Sequence, residues 1–574
     1  MRMTGARIIV ECLLEQGVEA VFGYPGGAIL NVYDELYKAG DRIRHILTAH
    51  EQGAAHAADG YARSSGRTGV VMATSGPGAT NLVTGIAAAY MDSSPVVAIT
   101  CNVASHLIGR DSFQEVSITG ITMPVTKHNF LVRDVESLAS TIRQAFAIAG
   151  SGRKGPVLVD VPKDVTLASA GWLPLGAADE EGAERRSATY APRPRSPSDA
   201  EIAEAAGLIA RAERPLLIGG GGVIASGASA ALEALATLLD APVALTLMGH
   251  GGLPSRHRLC AGMIGMHGSV AANAAAQGAD LIVAAGVRFS DRVLGDARRF
   301  ARQAKVVHID IDPAEIGKNL WCDMGLVGDL RPILERITSD LRATPRGGPE
   351  APRARGAWLA EIAALRSGGA RPRSGRAGLD PRLVMEELAA RAGPEAIVTT
   401  EVGQHQMWTA QHYPFAKPRS LVTSGGLGAM GFGTGAAVGS QVANPERRVV
   451  HVAGDGSFRM SSGELATIAG YGLPIVVVVM NNGVLGMVRQ WQTMFYGGRY
   501  AETTLDRPPD FVKLADAYGM PGFRARDPTS LAEALDAAFA AGGPALVEVI
   551  VDPDEEVLPF VPPGRPLEEQ YLGE

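Results

Sequence analysis

Two short apolar stretches in the last third of the chain each end in residues that can bind a metal. The stretch VVHVAGDGSF contains Gly454, Asp455 and Gly456, and LPIVVVVMNNGVLGM carries Asn482, 27 residues after Asp455. Consecutive parallel strands joined by one helix place their carboxyl ends side by side, where α/β sheets bind ligands. A carboxylate and an amide oxygen suit Mg²⁺ that also holds phosphate oxygens. The pattern predicts such a site, while ordinary turns stay open as the alternative.

A second candidate is Glu51, which follows the strand-like run ILTAH and opens the helical run QGAAHAADGYARSSG. A carboxylate in the first turn of a helix is favoured by the helix dipole. Capping is the commoner role of such a residue. Glu51 alone therefore does not define a site.

The middle of the chain contains a glycine-rich turn. The run LLIGGGG fits a relaxed dinucleotide fingerprint at Gly220, Gly222 and Ala225, with Asp240 about 20 residues after its start. A lone match of this kind is a weak indication of nucleotide binding.

The composition is that of a large globular protein. The chain has 574 residues, of which 46% are hydrophobic and 20% charged, and its net charge is −7. This length gives a prior of about four domains, with three or two allowed. So small a net charge argues against a whole-chain surface for nucleic acid or membrane, and we expect neither as a partner.

Cysteine usage and apolar runs bear on the compartment. The four cysteines lie far apart without a Cys-x-x-Cys pair, which argues against a disulfide framework or a zinc site: Cys12, Cys101, Cys260 and Cys322. Glu11 and Glu15 interrupt the first apolar run, so it predicts an amphipathic helix and not a targeting segment. The apolar run at 475–480 is too short to span a bilayer, which needs about 20 residues. We expect a cytoplasmic protein.

Short β-branched runs alternate with alanine-rich helical stretches, which predicts parallel sheets covered by helices. The clearest runs are 69–73, 96–100, 157–161, 216–218, 281–284 and 306–311. Segments from about 171 to 197 and from about 344 to 381 are rich in Gly, Pro or Arg and predict linkers. We therefore expect three doubly wound α/β domains and a tail: 1–170, 195–342, 378–555 and 556–574.

These features resemble a known family. The GDG run followed by the second Asn of NN is similar to the thiamine diphosphate (ThDP) binding motif. Across nearly the whole chain, the sequence resembles the large catalytic subunit of acetohydroxyacid synthase (acetolactate synthase). The matching stretches include YPGGAIL, HEQGAAHAADGYAR, TSGPGATNLVTGIA, IGRDSFQE, GPVLVDVPKDV, GMHG, GVRFSDR, HIDIDPAEIGKN, VGQHQMW, SGGLGAMGFG and NNGVLGMVRQW. The resemblance implies three domains of the ThDP-enzyme type that bind ThDP, Mg²⁺ and FAD.

The resemblance also assigns the ThDP site. It implies that Mg²⁺ is bound by Asp455, Asn482 and the main chain of Val484. The other implied ThDP contacts in the third domain are Val402, Gly403, Gln404, His405, Gly454, Gly456, Ser457, Gly486 and Met487.

The same resemblance assigns the reactive end of the cofactor. Glu51 would hydrogen-bond N1′ of the aminopyrimidine and favour the imino tautomer that deprotonates the thiazolium C2. Gly428 would offer its carbonyl to the 4′-amino group, and Met430 would hold the cofactor bent. A neighbouring subunit would supply Gly27, Glu51, Phe113, Gln114 and Lys163. The implied assembly is a homodimer or homotetramer with a small regulatory subunit.

For the flavin, the resemblance implies contacts from the central domain: Gly220, Gly221, Thr246, Leu247, Met248, Gly265, Met266, His267, Gly286, Val287, Arg288, Asp310 and Asp329. For the substrates, it implies Phe113, with Arg292 binding the carboxylate of the second ketoacid and Trp491 contacting its side chain. Three departures from the family pattern, Asn102, Ala104 and Ser290, bear on the access channel and the flavin contact.

The implied reaction joins two ketoacids. Pyruvate is decarboxylated, and its two-carbon fragment is transferred to a second 2-ketoacid to give 2-acetolactate or 2-aceto-2-hydroxybutyrate for branched-chain amino-acid synthesis. Two alternatives stay open, a flavin-reducing pyruvate oxidase and a non-catalytic homologue that binds the cofactors.

Overall fold

The computed structural model describes residues 1–175, 196–343, 351–368, 378–507 and 509–573. The described part contains three six-stranded parallel sheets, one from each third of the chain. Parts of both predicted linkers lie outside the described residues: 176–195 in the first linker, and 344–350 and 369–377 in the second. The prediction of an α/β fold with parallel sheets is confirmed.

The N-terminal sheet forms from the alternating runs identified in the sequence. Its strands, in spatial order, are Arg44–Leu47, Ala20–Gly23, Gly69–Ala73, Val96–Asn102, Val157–Pro162 and His128–Leu131. The helices around it are Gly5–Glu15, Leu30–Ala39, Glu51–Ser65, Pro77–Asn81, Val83–Met91, Ile118–Thr122, Leu138–Gly150 and Lys163–Leu167. A two-stranded antiparallel pair, Arg2–Thr4 with Ser169–Gly171, joins the two ends of this domain.

The central sheet has the same doubly wound pattern. Its strands, in spatial order, are Cys260–Met263, Val243–Leu245, Pro215–Gly219, Leu281–Ala285, Lys305–Asp310 and Met324–Val327. The helices are Asp199–Arg211, Gly221–Ala225, Ser229–Leu239, Val270–Gly278, Asp291–Leu294, Leu330–Ala343 and Ala351–Gly368.

The C-terminal sheet carries the predicted metal pair. Its strands, in spatial order, are Leu421–Val422, Ile397–Thr400, Val449–Gly454, Ile475–Asn481, Ala545–Ile550 and Gly522–Ala525. The helices are Pro381–Ala392, Gln404–His412, Phe432–Ala443, Asp455–Ser461, Leu465–Gly470, Gly486–Phe495, Phe511–Ala517 and Pro528–Ala540. Across the described residues, no helix has both the length and the apolar character needed to cross a membrane.

The N-terminal and C-terminal domains meet through two helices, Glu51–Ser65 and Phe432–Ala443. They approach so closely that a side chain at Gly60 would overlap the main chain of Ala436, and one at Gly439 would overlap that of Ala57. A single apolar core is shared by both domains at this contact. Small residues are required here because the two backbones touch.

The helix Ala351–Gly368 lies inside the segment 344–381, and the prediction of a linker is wrong for these residues. One face of the helix packs onto the central domain through Trp358 and Ile362, which are 2% and 3% exposed. The Trp358 indole nitrogen donates to the Pro215 carbonyl at 3.1 Å. The Gly, Pro and Arg content of the segment obscured apolar residues at a helical spacing of four.

We expect Trp358→Ala to lower the free energy of unfolding of the central domain by about 3–5 kcal/mol, because it leaves a cavity in a packed core. Denaturant unfolding followed by circular dichroism measures the change. The matched control is Trp321→Ala, whose side chain is 82% exposed and should change stability by no more than about 0.5 kcal/mol. Equal shifts for the two variants would contradict this account of the helix.

Candidate active site

In the C-terminal sheet, chain order reverses between the strands Ile397–Thr400 and Val449–Gly454. Ligands of open α/β sheets bind at the carboxyl ends of strands beside such a reversal. The run 402–405 follows the first strand, and Asp455 follows the second. The structure therefore brings the two predicted halves of the diphosphate site to one crevice.

Asp455 begins a helix at this crevice and is 1% exposed. Its Oδ2 atom has no hydrogen-bond partner among the described residues. Burial raises the pKa of its carboxyl group to about 7, and nearby main-chain N–H groups oppose the shift. A buried carboxylate oxygen without a partner is costly, and a cation removes that cost. Asp455 is therefore suited to bind Mg²⁺.

Asn482 follows the adjacent strand Ile475–Asn481, which pairs in parallel with Val449–Gly454. The Asn482 side-chain oxygen accepts a hydrogen bond from the Val484 N–H at 3.2 Å, so the side chain lies against the turn that contains Val484. Its amide nitrogen donates to the Gln404 side chain at 3.1 Å. The described residues contain no group of three His, Cys, Asp or Glu side chains that could hold a metal. A metal here would need amide, main-chain and phosphate oxygens besides Asp455.

The predicted diphosphate segment packs tightly against the metal pair. The His405 ring lies where side chains at Gly403 and Gly454 would otherwise be. Burial lowers the pKa of His405 to about 3, and its Nε2 atom has no partner among the described residues. A side chain at Gly486 would overlap the Gln404 amide. Because these three glycines have no side chains, the His405 ring and the Gln404 amide can occupy the crevice.

Glu51 is the first residue of the helix Glu51–Ser65, as the sequence predicts. The side chain that caps this helix belongs to His50, which accepts from the Gln52 N–H. Glu51 Oε2 instead accepts from the Asn81 amide at 2.9 Å. The capping alternative is therefore wrong, and Glu51 is available for another partner.

Predicted residues of the N-terminal domain gather around Glu51. A side chain at Gly78 would lie 3.3 Å from the Glu51 carboxylate. Gln114 has a φ of 60° and its main chain lies against Gly76, two residues before Gly78. A non-glycine residue in this backbone region is strained, which is commonest at functional sites. Gly27 and Lys163 are exposed at the carboxyl edge of the same sheet.

Phe113 is 88% exposed, so it is not a core residue of this chain. The described residues form one large cavity, and none of the five residues assigned to a neighbouring subunit lines it.

The large cavity has a volume of about 980 Å³ and is lined by residues of all three domains. All predicted flavin residues except Gly265 line it, each at or just after the carboxyl end of a central strand. Gly220 and Gly286 face each other at the order reversal of the central sheet. The volume is at the upper end of the range typical of ligand pockets.

Polar atoms in this cavity lack partners. The Nδ1 atom of His267 and both ring nitrogens of His250 are buried without a hydrogen bond in the described part of the chain. Burial lowers the pKa of both histidines to about 4, so the rings are neutral at pH 7. Asp310 is also buried, which raises the pKa of its carboxyl group to about 6. These atoms could hydrogen-bond a polar ligand such as a flavin.

The cavity also contains residues that the sequence analysis did not single out. Arg153 lines it and contacts the carboxylates of Asp312 and Glu315 at 3.3 and 2.7 Å. Arg153 lies just before the matching run GPVLVDVPKDV, and both acidic residues lie in HIDIDPAEIGKN. The sequence signal that could have indicated these residues was their position in or beside the two matching motifs. Their contact depends on the fold, which brings the two motifs together.

The predicted acceptor residues lie at one end of the cavity. The Arg292 guanidinium carbon lies 5.9 Å from the centre of the Trp491 ring. Met430 and Gly428 line the same cavity. The Trp491 indole nitrogen is buried without a partner among the described residues.

Two of the three departures from the family pattern have identifiable surroundings. The Asn102 amide donates to the buried Asp160 carboxylate at 2.7 Å. Ser290 lines the cavity and precedes the helix Asp291–Leu294.

Three thiamine pyrophosphate enzyme families match the chain in order. The N-terminal TPP binding domain matches residues 3–121, the central domain 202–337 and the C-terminal TPP binding domain 401–549. The chain is 47% identical over 98% of its length to a probable acetolactate synthase large subunit of Methanocaldococcus jannaschii, covering 94% of that protein. The chain belongs to the acetolactate synthase large-subunit family.

Other members of this family are similarly close. An acetolactate synthase of Mycobacterium bovis is 47% identical over 98% of this chain and 90% of its own length. The acetolactate synthase large subunit of Corynebacterium glutamicum is 45% identical over 98% of this chain and 89% of its own length. The resemblance and the use of ThDP inferred from the sequence are both confirmed.

Proposed function

We propose that this chain is the catalytic subunit of an acetolactate synthase that decarboxylates pyruvate and joins the two-carbon fragment to a second 2-ketoacid. The products are 2-acetolactate and 2-aceto-2-hydroxybutyrate, in branched-chain amino-acid synthesis. Full-length similarity to acetolactate synthases supports the proposal. The observation that carries it is a buried Asp455 oxygen, without a partner in the described part of the chain, beside Asn482 at the order reversal of the C-terminal sheet.

In this proposal, Asp455, Asn482 and the Val484 main chain bind Mg²⁺, and the run 402–405 binds the diphosphate. ThDP, when bound, supplies a thiazolium carbon nucleophile and an electron sink for decarboxylation. Gly428 orients the aminopyrimidine through its carbonyl. Met430 lines the same cavity as Gly428 and would hold ThDP in its bent conformation when the cofactor is bound.

Glu51 holds the proton at the pyrimidine N1′ nitrogen in this proposal. Glu51, Gly27 and Gln114 act on the cofactor bound by a second copy of the chain, together with Phe113 and Lys163. The 88% exposure of Phe113 supports this, because an aromatic side chain gains most from burial. The assembly is then a homodimer or homotetramer. A small regulatory subunit is a further partner, since several relatives carry the name large subunit.

FAD is proposed as the ligand of the large cavity lined by all three domains. Two observations support this, the His267 nitrogen without a partner among the described residues and the close contact of Gly220 with Gly286. In the acetolactate synthase reaction the flavin undergoes no net redox change.

Purified protein incubated with pyruvate, ThDP, Mg²⁺ and FAD tests the proposal. We expect acetolactate and CO₂ without flavin bleaching under anaerobic conditions. Rapid stoichiometric bleaching by pyruvate would instead establish a pyruvate oxidase. A holoenzyme with verified cofactor content that forms no acetolactate would overturn the proposal.

Trp491 tests the acceptor pocket, where Arg292 would bind the carboxylate of the second ketoacid. One methylene in an apolar pocket is worth about 1–3 kcal/mol of discrimination. We therefore expect Trp491→Leu to retain acetolactate formation and to lower the preference for 2-ketobutyrate over pyruvate about 5-fold or more.

Assays with both acceptors present measure the product ratio of this variant. The matched control is Trp321→Leu, on the exposed surface of the central domain. An unchanged ratio in folded, cofactor-loaded Trp491→Leu would make Trp491 a packing residue only.

A further inference from the structure

Glu401 is a buried carboxylate that the sequence analysis did not single out. It lies between the strand Ile397–Thr400 and the run 402–405, and its exposure is 0%. Burial raises the pKa of its carboxyl group to about 7, and hydrogen bonds from its neighbours oppose the shift. A carboxylate in such a place requires several donors.

Its donors come from two other segments of the proposed ThDP site. Oε2 accepts from the Gly431 N–H at 2.6 Å. Oε1 accepts from the Gly433 and Thr434 N–H groups at 3.1 and 3.2 Å. The Ser461 hydroxyl donates to the same oxygen at 2.9 Å, and the Thr434 hydroxyl at 3.3 Å. One side chain therefore contacts the turn after Met430 and the end of the helix that Asp455 begins.

The contact with Gly431 is the one adjacent in sequence to Met430, the residue proposed to contact the cofactor. Gly431 directly follows Met430 and is the N-cap residue of the helix Phe432–Ala443. Because glycine has no side chain to cap the helix, Glu401 accepts from the free N–H groups of the first turn. The backbone position of Met430 is therefore fixed by a carboxylate 29 residues earlier in the chain.

We propose that Glu401 is a positioning residue that holds the backbone at Met430 in place for the bound cofactor. The proposal rests on the ThDP site described under the proposed function. Glu401 does not touch the reacting atoms in this account. It would act by fixing the backbone at Met430, the residue that would hold ThDP in its reactive conformation when the cofactor is bound.

The Glu401→Gln variant distinguishes this positioning role from a purely structural role. A glutamine side chain has only one acceptor oxygen. Its NH₂ group would therefore face a main-chain N–H donor, either that of Gly431 or those of Gly433 and Thr434. Small misplacements of reacting groups cost up to about 100-fold in rate. We expect deuterium exchange at C2 of bound ThDP, measured without substrate, to fall about 10- to 100-fold. Affinity for Mg²⁺ with inorganic diphosphate should stay within about threefold, because Asp455 and Asn482 are unchanged.

The matched control is Glu15→Gln, a carboxylate with 10% side-chain exposure that binds Arg143 in the N-terminal domain. Its C2 exchange should equal that of the wild type. Exchange within threefold of the wild type in Glu401→Gln would overturn the proposal. So would a parallel loss of exchange, diphosphate affinity and melting temperature, which would show a purely structural role.

Glu401→Asp decides the question if the glutamine variant does not fold. It keeps the charge but shortens the side chain, so we expect a folded protein with exchange lowered at least about threefold. Unchanged exchange would overturn the proposal. Failure of the wild-type protein to bind ThDP with Mg²⁺ would instead reject the proposed function itself.

Discussion

Glu51→Gln should lower the rate of acetolactate formation by about 10²- to 10⁴-fold while ThDP stays bound. The amide cannot stabilise the protonated pyrimidine nitrogen, whereas its oxygen can still accept the hydrogen bond from the Asn81 amide. The fold should therefore be kept. Steady-state turnover and ThDP affinity, measured on the same preparation, test the two halves of this expectation.

The matched control for Glu51 is Glu19→Gln, at an exposed ion pair with Arg67. It should have wild-type turnover, because exposed pairs contribute little to stability. A Glu51→Gln enzyme that kept more than half of the wild-type rate would show that the assigned proton position is wrong.

Asp455→Ala should abolish most Mg²⁺-dependent ThDP binding. Removing one partner of a buried charge pair costs about 3–5 kcal/mol, or roughly 10²- to 10³-fold in affinity. Flavin content should be little changed, because Asp455 does not line the cavity proposed for the flavin. Calorimetric titration with ThDP in the presence of Mg²⁺ measures the loss.

The apoprotein gives an independent check on Asp455. Without a metal, its Oδ2 atom is buried and unpartnered among the described residues, so the charged carboxylate disfavours the folded state. Apo Asp455→Ala should therefore melt no lower than the wild type at neutral pH. The control Asp554→Ala removes an exposed carboxylate and should leave ThDP binding intact. Unaltered ThDP affinity in Asp455→Ala would contradict the metal assignment.

The sequence was sufficient for features that depend on neighbouring residues. Asp455 and Asn482 follow apolar runs, and strand order then requires that the strand ends adjoin. Glu51 begins its helix where the strand-like run ILTAH gives way to the alanine-rich helical run QGAAHAADGYARSSG. In each case the local pattern and the tertiary structure agree.

Other features depend on contacts between distant segments. Glu401 gains its role only because residues 30 to 60 positions later fold over it. Arg153 meets Glu315 only through packing of two domains. Trp358 was missed for a different reason. Its apolar neighbours repeat at helical spacing, but the composition of the surrounding segment is that of a linker.

The contact between Glu51–Ser65 and Phe432–Ala443 restricts how the enzyme can move. Domains slide or hinge where side chains at their interface can repack. Here main chain touches main chain at Gly60 and Gly439, so no side-chain layer can shift. The N-terminal and C-terminal sheets of one chain should therefore behave as a single rigid body.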